Sequence, residues 1–207
     1  AMSRRQRQMC IRDRYKGIEL GPVGFMPEDP EILGDALEKF DLELIGGVVF
    51  RAYHDEKQWE DVLDGTHRTC KALVAHGAKH LVLIDSISER RAPTAGRVNE
   101  AEQMSKEEWS SYRERITTSA RIGAEEYGLT VGIHAHAAGF MDFEPELERL
   151  LSEVDEEILK ICFDTGHHSY AGFDPVEFMQ KYISRISYIH FKDIDPKVKQ
   201  KVLDNRT

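Results

Sequence analysis

His134 and His136, two residues apart in the segment VGIHAHAAGF, are the first residues in this chain whose types and spacing suggest chemistry. On an extended strand that spacing puts both imidazoles on one face. A second segment, ICFDTGHHSYAG, ends an apolar run on Asp164 and places His167 three residues later, across a Thr-Gly turn. A carboxylate at the end of a buried strand is costly unless it is paired or binds a metal. An aspartate there serves equally well as the cap of the turn that follows. In a third segment, ISYIHFKDID, His190 lies inside an apolar run and is followed by Lys192 and Asp193. A lone histidine on such a strand is commonly a hydrogen-bonded core residue, and the neighbouring Asp164 adds a second reading as a ligand. Two histidines, an aspartate and a third histidine would make a divalent site of nitrogen and oxygen donors. That set suits Mn²⁺, Co²⁺, Fe²⁺ or Zn²⁺ better than Ca²⁺. One member of the His134/His136 pair is as readily a substrate-orienting group as a ligand.

These residues have to be positioned by a repeating scaffold. From Tyr15 onward, short apolar runs (KGIELG, LELIGGVVF, HLVLID, LTVGIHAH, ILKICFD and ISYIHF) alternate with longer segments of helical spacing. Continuous apolar runs are the mark of parallel strands buried on both faces. Trp59, Val62, Leu63, Thr66, Cys70, Leu73 and Val74 step along one helical face. Trp109, Tyr112, Ile116, Ala120, Gly123 and Tyr127 do the same in the next helix. Ser105 and Glu108 have capping-box spacing, and Gly128 stands where a helix C′ glycine belongs. The Asp-Pro pairs at 29–30, 174–175 and 195–196 read as N-caps followed by N1 prolines. Leu147, Leu150, Leu151 and Val154 mark a shorter helix after LTVGIHAH. The long connection after HLVLID, ISERRAPTAGRVNEAEQ, is of a length that is uncommon unless functional. Six strand–helix units leave an open doubly wound sheet or a closed barrel. No Gly-rich phosphate fingerprint follows a strand. Polar residues instead recur at strand C-terminal ends, among them Glu19, His54 and Asp85, which is where a barrel gathers its active site.

The chain has 207 residues and a net charge of -9, which suits one domain and disfavours nucleic acid and anionic membranes as partners. Its three cysteines are scattered and odd in number, a poor disulfide framework. A cytoplasmic setting follows as the expectation. No apolar run approaches the ~20 residues of a membrane span. Residues 1–14 carry five arginines and the string MCIRDR. We expect this stretch to be foreign to the fold or a flexible basic arm, and residues 15–207 to form the domain.

The combination GIELGPVGFMP, HAHAAG, CFDTGHHSYAGFDP and YIHFKDIDP resembles the xylose-isomerase-like barrels of the sugar phosphate isomerase/epimerase family. The pattern is nearest to the inosose dehydratase branch, over roughly residues 15–203. The resemblance implies a TIM (β/α)₈-type barrel with a divalent metal, Mn²⁺ first, at the C-terminal ends of strands five to eight. His134 matches the first ligand position, where sugar epimerases carry glutamate, Asp164 the second and His190 the third. The fourth, a glutamate on strand eight, has no counterpart before Thr207. Strands two to seven are therefore expected here, with strands one and eight missing and the chain inactive by itself. The segment Ala138-Gly139-Phe140, with Asp142 beyond, departs from the branch's usual Gly-Thr pattern and leaves the substrate open.

The chemistry expected is metal-dependent removal of a proton α to a carbonyl of a keto-polyol such as inosose, giving an enediolate-like intermediate. His136 and His167 are the candidates for base and proton donor, and Lys192 for stabilising negative charge. Glu19, Asp85 and Asp193 are the candidates for binding substrate. Loss of a β-hydroxyl would make the enzyme a lyase; reprotonation at the neighbouring carbon would make it a sugar isomerase or epimerase. His134 in place of glutamate favours the lyase. An abasic-site endonuclease shares the barrel, but the acidic charge and the lack of a basic patch oppose it. A sugar-binding barrel without chemistry would carry no stoichiometric ion. Self-association is left open.

Overall fold

Each apolar run forms a strand, and each strand pairs in parallel with the next. The computed structural model describes residues 15–22, 24–27 and 29–205, so the arginine-rich stretch at 1–14 lies outside the described residues. The strands are β1 (Gly17–Leu20), β2 (Glu43–Arg51), β3 (His80–Asp85), β4 (Thr130–His134), β5 (Lys160–Asp164) and β6 (Ile186–His190). They are ordered β1-β2-β3-β4-β5-β6 in one sheet. A doubly wound sheet reverses its order at a switch point and carries helices on both faces. Sequential order sends every right-handed crossover to the same side, so the helices coat one face and the sheet curls around the other. The curl is deep enough that Glu19 of β1 meets His190 of β6, 2.9 Å apart. The six strands form an arc of a TIM-type barrel.

The two faces of the sheet are filled differently. Leu81, Leu83, Val131, Ile133, Ile161 and Phe163 point outward into the main core beneath the helices. Val48, Val82, Ile84 and Cys162 point inward, with Phe50 and Tyr188 packed against them. The period of two then puts His134 on the inner face of β4 and Asp164 on the inner face of β5. Gly132 shares that inner face, and a Cβ there would stand 2.8 Å from the Cys162 backbone nitrogen. Only glycine lets β4 and β5 approach so closely.

The helices are α1 (Pro30–Lys39), α2 (Trp59–Ala75), α3 (Lys106–Arg121), α4 (Glu144–Glu153), α5 (Thr165–Ala171), α6 (Pro175–Tyr182) and α7 (Pro196–Asn205). Asp29, Asp174 and Asp195 each accept backbone N–H groups at the starts of α1, α6 and α7. The Ser105/Glu108 capping box opens α3. Gly128 takes a φ of 65°.

Two features differ from the sequence pattern. The stripe through Gly123 and Tyr127 is not one continuous α-helix: after Arg121 the chain widens into a π turn at Ile122–Glu126. A Cβ on Gly123 would lie 2.7 Å from Val131 and 2.8 Å from Leu81, so the backbone itself presses on the sheet here. The Thr-Gly turn after Asp164 is the start of α5, which ends at Gly172 with a φ of 97°. No helix among the described residues is long and apolar enough to cross a membrane.

Candidate metal and catalytic site

The inner face ends in a cleft of about 250 Å³ on which Glu19, His134, His136, His167, His190 and Lys192 open, with Val48, Phe50 and Ile84 in its wall. Asp164 lies buried behind this lining, its side chain 1% exposed and bonded to His134 and Lys192. Its Oδ2 is shared by His134 Nε2 at 3.1 Å, Lys192 Nζ at 2.5 Å and His190 Nδ1 at 3.6 Å. Its Oδ1 accepts the backbone N–H of His167 at 2.9 Å. Oδ1 thus caps α5, as an aspartate at that position can, and Oδ2 meets side chains that line the cleft. His190 also bonds Glu19 through Nε2, which closes the cluster from the β1 side.

Electrostatics follow from this packing. Burial favours the neutral acid of Asp164, but hydrogen bonds from His134, His190, Lys192 and the His167 N–H outweigh it and hold the carboxyl well below the usual range. Burial also opposes charge on His190, yet its bonds with Asp164, Cys162 and Glu19 push it up to about 11. Burial lowers His134 and His136. His167 falls to about 3 through burial and the neighbouring imidazoles of His136 and His134.

The donor set fits a divalent ion. Ligands about 2.0–2.2 Å from one ion stand roughly 3–3.5 Å apart, close to the 3.1 and 3.6 Å separations around Asp164 Oδ2. His134 Nδ1, the ring nitrogen turned away from Asp164, is buried and has no hydrogen-bond partner among the described residues, so no second bond fixes this ring's tautomer against ligation through Nε2. The third ligand has two contenders. Donor atoms of His134, Asp164 and His167 lie within 4.8 Å of one another, while His190 stands beside the same Asp164 oxygen.

Of the residues singled out from sequence, Glu19, His134, His136, Asp164, His167, His190 and Lys192 come together. Asp85 and Asp193 do not join them. Asp85 is turned into the loops: Oδ1 accepts from His54 N at 3.2 Å and faces His54 Nδ1 at 2.8 Å, and Oδ2 accepts from Phe140 N at 2.9 Å. The reason is geometric. Asp85 extends β3 by one residue beyond Ile84, which already faces the cleft, so its side chain points away from it. Asp193 is exposed and accepts the Ile194 N–H at 2.8 Å, bordering a shallower neighbouring cleft with Gly166, His167, Tyr170 and Lys192.

The long β3–α3 connection also holds a residue that the sequence did not single out. Arg91, 1% exposed, pairs with Glu146 at 2.7 Å and lies over the rings of Phe140 and Phe143. Glu146 in turn accepts the N–H groups of Asp142 and Phe143. Nothing local in the sequence joins positions 91 and 146; the only available signal was an arginine in a loop of unusual length.

Comparison with known proteins agrees with this architecture. The family profile described as xylose isomerase-like TIM barrel matches residues 14–207. An inosose dehydratase of Geobacillus kaustophilus is 28% identical over 185 residues, covering 87% of this chain and 58% of that protein. The chain spans about three fifths of the length of the curated relatives it matches. A probable 3-DHS dehydratase of Bacillus anthracis, AsbF, superposes with a TM-score of 0.73 at 20% identity, covering 98% of this chain and 72% of that one. The IolI protein, in a structure with a bound zinc atom, superposes with a TM-score of 0.71 at 16% identity, covering 94% and 69%.

Proposed function

This chain belongs to the xylose isomerase-like TIM barrel family, and from that premise we propose that it carries the metal-dependent site of a lyase that dehydrates a keto-polyol such as inosose. The observation that carries the reading is the sharing of one buried Asp164 oxygen by His134, His190 and Lys192 inside a cleft lined by ionisable side chains. His134, Asp164 and His190 would hold the ion, Mn²⁺ by preference and Co²⁺, Fe²⁺ or Zn²⁺ as alternatives. When bound, the ion supplies Lewis-acid polarisation of a carbonyl or hydroxyl.

The remaining steps fall to the chain's own groups. His136 and His167, whose rings are 4.3 Å apart on one side of the cleft, handle the proton removed from the carbon α to the carbonyl. The Lys192 ammonium faces the negative charge that then develops on oxygen. Glu19 binds substrate hydroxyls from the β1 side. Asp85 and Asp193, outside the cleft, would act on substrate only through the loops they hold. The names of the relatives and the histidine at position 134 favour dehydration. A sugar isomerase or epimerase would share the first step and differ in where the proton returns.

The test has two arms, ion binding read on this chain and turnover read on the longest protein its reading frame encodes. Titration with Mn²⁺ should give one ion per chain, lost in Asp164→Ala. Incubation with inosose in D₂O should exchange the α-hydrogen and release water. An ion that binds equally well to Asp164→Ala would refute the site, and exchange without dehydration would select the isomerase reading.

A further inference from the structure

We infer that the peptide groups of Ala137 impose opposite tautomers on His136 and His167, so that two like side chains present a lone pair and an N–H to the same cleft. The inference rests on the reading of the cleft proposed above and divides the roles left shared there.

The carbonyl oxygen of Ala137 lies 2.9 Å from His136 Nδ1. A carbonyl brings no hydrogen to that contact, so the proton sits on Nδ1, and the neutral ring keeps its lone pair on Nε2. The N–H of the same residue donates to His167 Nδ1 at 3.2 Å. An amide N–H can only donate, so His167 Nδ1 carries the lone pair and the ring hydrogen is on Nε2.

The turn that presents Ala137 is firmly held. Ala138 has a φ of 69°, a left-handed conformation uncommon for a residue with a Cβ. It is fixed on both sides, by its own N–H to Asp142 Oδ2 at 3.0 Å and by the Ser88 N–H to its carbonyl at 2.9 Å. His136 N donates to Met141 O at 2.8 Å, and Phe140 N to Asp85 Oδ2 at 2.9 Å. Asp85 and Asp142, which do not touch the cleft, therefore act as positioning residues for the two peptides flanking Ala137 that set the rings.

Two consequences follow. His167, with its Nδ1 lone pair engaged by the Ala137 N–H, presents its Nε2 hydrogen to the cleft, which makes it a hydrogen-bond donor to substrate. Proton transfer falls to His136: its Nε2 takes the proton from the α carbon while the C–H pair forms the new double bond and the carbonyl π pair moves to oxygen. The same proton then passes to the departing β-hydroxyl: the pair on oxygen reforms the carbonyl, the enolate double-bond pair shifts between the α and β carbons, and the β carbon–oxygen bond breaks with its pair, releasing water. His167 donates a hydrogen bond to a substrate oxygen throughout and loses no proton.

The experiment reads nitrogen protonation directly. In ¹⁵N-histidine-labelled protein at neutral pH, two-bond correlations should show His136 protonated at Nδ1 and His167 protonated at Nε2, assigned through His136→Gln and His167→Gln. The same state in both rings, or His167 protonated at Nδ1, would overturn the inference whether or not any substrate turns over. In the D₂O exchange assay His167→Gln, which keeps an N–H at about the right place, should stay within about tenfold of the parent. His136→Gln should lose ~10²–10⁴-fold. Equal losses would also overturn the division. The expected tautomers in a metal-loaded protein that exchanges no ketone would instead count against the proposed function alone.

Discussion

Asp85 and Asp164 end alternate strands of the same sheet, and both side chains are 1% exposed. Their partners differ in kind. Asp85 is surrounded by two backbone N–H groups and the His54 ring, all from loops that must be tied down. Asp164 gives one oxygen to a backbone N–H and the other to two imidazoles and an ammonium. A carboxylate saturated by main-chain donors is held in place and stays there. One shared among ionisable side chains can exchange those partners for an ion or a substrate. A strand-end aspartate is thus not informative by itself; the kind of donor that meets it separates support from chemistry.

The strongest test of the contrast is Asp164→Ala, which should abolish Mn²⁺ binding in calorimetry and reduce α-hydrogen exchange to background with circular dichroism unchanged. Retained ion affinity would place Asp164 with Asp85 as a support. Next comes the tie beneath the long connection. Arg91→Leu leaves Glu146 buried without its cation and should destabilise the fold by about 3–5 kcal/mol in denaturant unfolding. A loss below 1 kcal/mol by the same measurement, on the order of a surface pair, would mean the loops do not depend on it. Asp85→Ala orphans the Phe140 and His54 donors and should cost roughly 3 kcal/mol of stability. Its folded fraction should keep the parent's Mn²⁺ affinity, and an affinity loss like that of Asp164→Ala would erase the distinction between the two aspartates.

The smallest effect concerns a histidine on the opposite, helix side of the sheet. His168 packs among Phe163, Phe173 and Phe178, and burial lowers it to about 4. A histidine whose folded pKa lies below its unfolded value binds fewer protons when folded, so its stability contribution is complete above about 6.5 and is lost as pH falls towards 4. Between pH 7 and pH 5 the protein should lose about 2 kcal/mol from this group. The melting temperature of His168→Phe should fall less over that interval than the parent's, and parallel curves would show that His168 takes up its proton in the folded state as readily as in the unfolded one.

Much of the scaffold was legible in the residues, because its signals are local. Apolar runs became the six strands, and the caps at Asp29, Ser105, Asp174 and Asp195 opened helices where their side chains meet backbone N–H groups a few residues away. The gathering of His134, Asp164 and His190 followed from strand period and strand order together. The π turn at Ile122–Glu126 was not legible, since it depends on how closely Gly123 presses on Val131 and Leu81.

Sequence by itself determined which residues end strands and therefore which could reach the cleft. Only the tertiary structure decided that Asp85 faces the loops, that Arg91 is buried against Glu146, and that the two peptides flanking Ala137 address two histidines differently. The physical reason is range. Strand period and helix caps are set by neighbours a few positions apart, whereas a side chain's proton and partners are set by whatever the fold brings within hydrogen-bond distance. Those contacts span 30 residues between Ala137 and His167 and 55 between Arg91 and Glu146.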